Sequence, residues 1–220
     1  MAETQKEKDW NTGGASGDVS IPHCPEGEDL NEYIASSTIA FYNDLVLLYE
    51  SVIVDSREKY TRPGQGFPPG FIYYWTEDAE SGEEVPAVPA PGYMEKCLNW
   101  IDQAFNDETV FPTDATIDWP TDFLDNHICR IFTYMFRTFA ILYHCHYELL
   151  VQNKVANLLN TTLKHFVFFS IRYNLLIDEE ELLALATPVE KIKKEYIKAW
   201  NKSSIKRKIS QNAKKTLKTT

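Results

Sequence analysis

The sequence predicts a mostly helical fold with one small β-hairpin, and three observations lead there. Apolar residues recur every three or four positions along several separate stretches. One short run, FIYYW at 71–75, is dense in strand formers. Glycine and proline concentrate between these stretches.

Residues 1–20 are rich in Gly, Ser, Thr and charge, so a disordered N-terminal segment is expected there. A folded domain is expected over 21–190. At PEGEDL (25–30) the acids suit the positive end of a helix dipole. Leu30, Tyr33, Ile34, Ile39, Phe41, Leu45 and Leu48 then repeat at helical spacing, predicting a helix to about Tyr49. Residues 55–70 hold three prolines and three glycines and are predicted to be a loop. Phe71–Trp75 and Val85–Val88, joined by an acidic link, predict the hairpin.

Pro91 opens a predicted helix over Tyr93–Asn106. The longest periodic stretch runs from Asp122 to Val151, with Leu124, Ile128, Ile131, Met135, Phe139 and Leu142 in one stripe. A further helix is predicted over Thr162–Tyr173, and a last one from Pro188 to about Trp200. The stripe is expected to pack against Phe41, Leu45, Trp100, Phe105, Phe166 and Phe169.

Of the 220 residues, 44% are apolar and 25% charged, as in ordinary globular domains. The net charge of −10 is uneven. Residues 191–220 carry eleven Lys/Arg and one acid, or +10, which leaves −20 on the first 190 residues. An acidic body favours basic partners and disfavours nucleic acid. Cys24, Cys97, Cys129 and Cys145 form no CxxC and no compact disulfide framework. The polar N-terminus contains no secretory signal, and charge, Asn or His breaks every apolar run, so no membrane span is expected. A cytoplasmic, reducing location follows, with nucleus and cytoskeleton as alternatives. No GxxxxGK[ST], HExxH or GxSxG motif occurs, so neither an enzyme nor a cofactor is expected.

Several long phrases go further: PEGEDLNEYIA at 25–35, FIYYW at 71–75, NWIDQAFNDETVFP at 99–112, LYHCH at 142–146 and LNTTLKHFVFFSIRYNLL at 159–176. In order and spacing they resemble the Mob/phocein family, closest to its kinase-activating branch. The resemblance implies a helical bundle with a small hairpin and no catalytic residues. It implies binding to the basic N-terminal regulatory segment of an NDR/LATS-type kinase, in mitotic exit, cytokinesis or Hippo-type growth control. The residues matching the family's kinase-binding face are Glu28, Glu32 and Tyr33, with Ala40 where an additional family acid stands. Glu28 and Glu32 are i,i+4 and are expected on one helix face. His165 matches a family histidine near that face, and a satisfied core histidine is the other reading.

Two family features are depleted. The family's structural zinc takes two loop Cys and two helix His, and zinc needs four converging donors. Counting back from Trp75, the Cys positions hold Arg57 and Arg62; counting forward from Pro25, they hold Ser56 and Thr61. Ile141 replaces the first His and only His146 remains, so no metal is expected and His146 reads as a hydrogen-bonded core histidine. His144, Cys145 and His146 point about 100° apart on a helix and do not converge. The family's phosphopeptide cluster is likewise thinned. Arg137 matches one of its positions, Thr133 and Tyr134 are neutral, and Arg130 is the nearest further candidate.

The segment 191–220 forms a basic C-terminal extension. Ile192, Tyr196 and Trp200 are four apart and predict a basic amphipathic helix that suits an anionic membrane surface or an acidic protein. SIKRKIS reads as a nuclear-import patch or a phosphorylation target, and a tail folded back on the acidic body is a further reading.

Overall fold

The computed structural model describes residues 20–76, 87–176 and 178–216, the last twelve of these as backbone only. Its helices are α1 (Leu30–Glu50), α2 (Ile53–Lys59), α3 (Ala90–Phe105), α4 (Cys129–Cys145), α5 (Tyr147–Gln152), α6 (Ala156–Tyr173), α7 (Glu179–Leu182) and α8 (Ala186–Thr216). A π-helical turn, Phe123–Ile128, leads into α4, and a 3-10 turn, Leu183–Leu185, links α7 to α8.

Local chemistry explains most boundaries. Asp29 caps α1, its Oδ1 accepting from the backbone N–H of Asn31 at 2.8 Å and of Glu32 at 3.1 Å. Pro91 sits in the first turn of α3, where a missing N–H costs nothing. Asn174 ends α6 in the left-handed conformation, φ 56°. Pro188 is tolerated in the first turn of α8 for the same reason as Pro91. No Gly or Pro follows Pro188, so α8 runs to Thr216 rather than stopping near Trp200. The expected domain boundary at 190 therefore falls inside one continuous helix.

The core is helix on helix. Helix α4 packs against α1, α3 and α6. Ile131, Phe132, Met135, Phe136 and Phe139 are fully buried there. Phe132 stacks on Phe166 at 4.7 Å between ring centroids, and Phe41 meets both rings edge-on. The expected stripe is the observed one, with Leu124, Phe41, Trp100 and Phe105 only partly buried at its margin. Tyr33 meets Tyr173, Phe41 meets Phe166, and Asp44 accepts from Thr162 Oγ1, so α1 and α6 run antiparallel. Lys164 pairs with Glu195, Phe168 with Tyr196, and Arg172 with Trp200, so α8 runs parallel to α6 on its other side.

Three expectations are corrected. Among the described residues there is no strand and the expected hairpin is not seen; its link and Val85 and Pro86 lie outside the described residues. Residues 71–76 are extended, with Tyr73 and Trp75 inward and Ile72 and Tyr74 outward, as a strand would place them. Their inward rings pack on helices instead of on a partner sheet: Tyr73 on Tyr93 at 5.5 Å, Trp75 on Tyr134 at 5.3 Å. Secondly, residues 55–59 belong to helix α2, because Gly and Pro begin only at Pro63. Thirdly, the stretch 122–151 is not one helix. It opens as a π-helical turn and breaks at His146, whose φ of −128° leaves the helical region between α4 and α5.

Candidate interaction surfaces

The start of α1 places the first group of expected site residues. Asp29, in extended conformation (ψ 136°), carries the chain into the helix only at Leu30. Glu28 therefore lies outside α1, in a turn closed by its N–H donating to Pro25 O at 3.2 Å. The expected sharing of one helix face by Glu28 and Glu32 does not hold, because the cap takes the residue between them and the first turn. Glu32 is exposed, and by helical spacing it shares the solvent face of α1 with Ser36, Ile39 and Asn43, all exposed. Ala40 is exposed as well.

Tyr33 turns from that face toward α6. Its ring lies 5.8 Å from Phe169 and 5.9 Å from Tyr173, and burial raises its phenol pKa above the ordinary value. Tyr33 is thus half-buried and braced, beside the exposed Glu32. His165 is exposed on α6, eight residues before Tyr173, or about 12 Å along the helix axis. Partial burial first, then the neighbouring Lys164, hold its pKa below 6.5. The structure brings Glu32 and Tyr33 together, with Glu28 just outside, and leaves His165 two turns away along the same α1–α6 seam.

Arg137 and Arg130 belong to another face, where α4 meets α3 and the extended segment 71–76. Arg130 is exposed and stacks over Trp100 at 4.9 Å. Arg137 is committed internally. Its Nε donates to both carboxylate oxygens of Glu181 at 3.0 and 3.1 Å, its Nη2 also donates to Glu181, and its Nη1 donates to the Tyr93 hydroxyl at 3.0 Å. The guanidinium lies over the Tyr73 ring at 5.0 Å. Burial lowers the Arg137 pKa, but Glu181 and Tyr93 more than offset this and hold it above the ordinary value. A phosphate at Arg137 would have to displace a carboxylate already bound by paired hydrogen bonds. Glu181 lies forty-four positions from Arg137, and no local spacing in the sequence links the two.

The residues that the resemblance matches to a metal position meet other partners. Ser56, fully buried on α2, hydrogen-bonds His146 Nε2 at 3.0 Å, which selects the forward count from Pro25. Arg57 instead pairs outward with Glu95 at 3.0 Å. His144 Nε2 meets Ala184 O at 2.6 Å, and Cys145 Sγ donates to Gly66 O at 2.9 Å, so the three neighbours point to three different elements. Ile141 is fully buried in the core. Among the described residues no three His, Cys, Asp or Glu side chains converge on one point. These residues do not fit a zinc ion. Burial, then the nearby Lys59, push the His146 pKa down to about 4. All four cysteines are free thiols, and no single described helix is long and apolar enough to cross a membrane.

Comparison with known proteins agrees with this frame. The Mob1/phocein family model matches residues 18–185. The "MOB kinase activator-like 1 homolog B" of Dictyostelium discoideum is 34% identical over 170 residues, covering 77% of each chain. "Maintenance of ploidy protein mob1" of Schizosaccharomyces pombe is 33% identical over 156 residues, covering 71% of this chain and 73% of the relative. The "MOB kinase activator-like 1A" of Arabidopsis thaliana is 34% identical over 168 residues, covering 76% of each.

Proposed function

The chain belongs to the Mob1/phocein family, and from that premise we propose that it is a non-catalytic adaptor that binds the basic N-terminal regulatory segment of an NDR/LATS-type protein kinase. The names of its relatives describe kinase activators, not enzymes. The observation that carries the reading is the N-terminal turn of α1. Exposed Glu28 and Glu32 flank a half-buried Tyr33 held by Phe169 and Tyr173. A basic helix approaching this end meets two carboxylates that have no salt-bridge partner among the described residues, and a half-buried aromatic edge, while the −20 body accelerates encounter. Ile39, 39% exposed on the same solvent face, supplies an apolar contact. The solvent face of α1 lacks further acid at Ala40, so the contact is narrower than the resemblance implies. The role follows the kinase in the cytoplasm, cytoskeleton or nucleus, in mitotic or growth-control signalling.

Calorimetric titration with the N-terminal regulatory segment of an NDR-type kinase from the same organism tests this. Micromolar or tighter binding, lost in the Glu28→Lys, Glu32→Lys double variant, is the expected result. Absence of binding by the folded native chain overturns it.

A second reading has its own observation. Helix α8 continues to Thr216, and residues 201–216 carry six Lys/Arg and no acid. Because α8 runs parallel to α6, this arm leaves the bundle at the end where Glu28 and Glu32 lie. A scaffold that localises through its basic arm would bind anionic vesicles in a salt-sensitive way and capture no kinase.

A further inference from the structure

The outer face of α8 carries an inference that is independent of the α1 face. Helix α8 lies against α6 through Val189 and Ile192, both buried, and through Tyr196, whose ring meets Phe168 edge-on at 5.3 Å. The side turned away from α6 combines apolar and basic groups. Ile197 is 58% exposed and Trp200, at its edge, 40% exposed; they are about one turn apart. Lys194, Lys198 and Lys202 are exposed around them. By helical spacing Lys194, Ile197, Lys198 and Asn201 share one side, and in the sequence Ile205 and Lys208 continue that spacing.

Residues 186–216 hold ten Lys/Arg and two acids, so the helix carries +8. Both acids are engaged: Glu195 pairs with the buried Lys164 of α6 at 2.7 Å, and Glu190 with Lys193 at 3.9 Å. The exposed Arg172 of α6 adds a further cation, over the Trp200 ring at 5.9 Å. The indole also stacks on Tyr196 at 6.2 Å. Trp200 is thus braced against the bundle while part of its ring stays in solvent.

We propose that the outer face of α8 docks on an anionic lipid surface. Clustered lysines are drawn to the negative charge of such a leaflet. A tryptophan edge and an isoleucine beside them suit the headgroup boundary, which they enter without the helix crossing the membrane. A soluble acidic segment would use the lysines and leave Ile197 in water. The contact differs from one made by the arm beyond Trp200, because its apolar anchors stand on the half of α8 that is packed on α6. Helix α6 lies between α8 and α1, so docking here leaves Glu28, Glu32 and Tyr33 uncovered.

The test is flotation of the full chain at about 0.15 M salt with vesicles of phosphatidylcholine alone, and of phosphatidylcholine with about 30% phosphatidylserine. Binding to the second and not to the first is expected. Lys194→Gln, Lys198→Gln is expected to weaken it about tenfold or more. Ile197→Ser, a change at an exposed position, is expected to weaken it about threefold, and adding Trp200→Ser about tenfold in all. Melting curves check that each variant is folded. A fluorescein-labelled oligoglutamate peptide is the second probe, and Ile197→Ser is expected to leave its anisotropy titration unchanged. Failure of the native chain to float with the anionic vesicles would overturn the proposal. So would flotation that is equal in all the variants, which would move the contact to the arm, or an oligoglutamate peptide that binds while the vesicles do not, which would make the partner an acidic protein. Failure here leaves the kinase titration above unaffected, since the α1 face carries none of these residues.

Discussion

Arg137 lies on α4 and His146 at the break that ends it, nine residues on, and the two are partnered in different ways. His146 meets a neutral hydroxyl, Ser56, through Nε2, and its buried Nδ1 has no hydrogen-bond partner among the described residues. Arg137 is satisfied by a full counter-charge, Glu181, plus a phenol and an aromatic face. The difference follows from what each group can do when isolated. An imidazole shut away from water gives up its proton and becomes neutral, as the depressed pKa of His146 records. A guanidinium cannot, so its burial requires a carboxylate. A neutral site is therefore repaired by a small substitution, whereas a charged one must recruit an acid and thereby changes the charge of the surface around it.

The charged site is the easier to break. Glu181→Leu leaves Arg137 buried and uncompensated, and urea unfolding is expected to show a loss of about 4 kcal/mol. Adding Arg137→Met to that variant should recover most of the loss, because the pair as a whole carries a desolvation cost. A double variant as unstable as the single one would mean that the guanidinium contributes through packing on Tyr73.

The neutral site is expected to show itself through pH. His146 has a folded pKa of about 4 against 6.5 when unfolded, so below pH 6.5 the unfolded chain binds the extra proton. Stability is full above pH 6.5, falls as pH drops toward 4, and levels off below it; the contribution is on the order of 3 kcal/mol. His146→Gln should remove this part of the pH profile, and an unchanged profile would assign it to other groups.

Ser56→Ala is expected to cost less, about 1.5 kcal/mol in unfolding free energy, because it leaves a buried ring nitrogen without its partner. A cost near zero would mean that water takes the hydroxyl's place. The smallest expected effect is that of a chelator: EDTA should move Tm by less than about 1 °C, since these side chains do not form a tetrahedral donor set. A large fall would place a metal among them after all.

Where the sequence reading succeeded and where it failed can be traced to particular residues. The α4 stripe, the Asp29 end of α1 and the Pro91 start of α3 were legible because they depend on neighbours three or four positions away. The break at His146 was not, since no Gly or Pro marks it, and the Ser56 that meets this histidine is ninety positions distant. FIYYW had the propensity and alternation of a strand, and its burial alternates accordingly. Its rings found helices α3 and α4 instead of a ladder, and propensity does not distinguish the two. At the candidate surface, the helix carrying Glu32 and Tyr33 was readable, but the packing of Tyr33 on Phe169 and Tyr173 and the position of Glu28 outside the helix were not, the latter because it followed from which of three acids took the cap.

By itself the sequence determined a helix-rich fold, the family and the uneven charge, because composition, periodicity and matched phrases are properties of the chain in one dimension. Only the tertiary structure decided which carboxylate neutralises Arg137 and which hydroxyl meets His146. Those pairings join residues 44 and 90 positions apart. Their partners are chosen by how the helices pack, through which groups end up buried and must be satisfied.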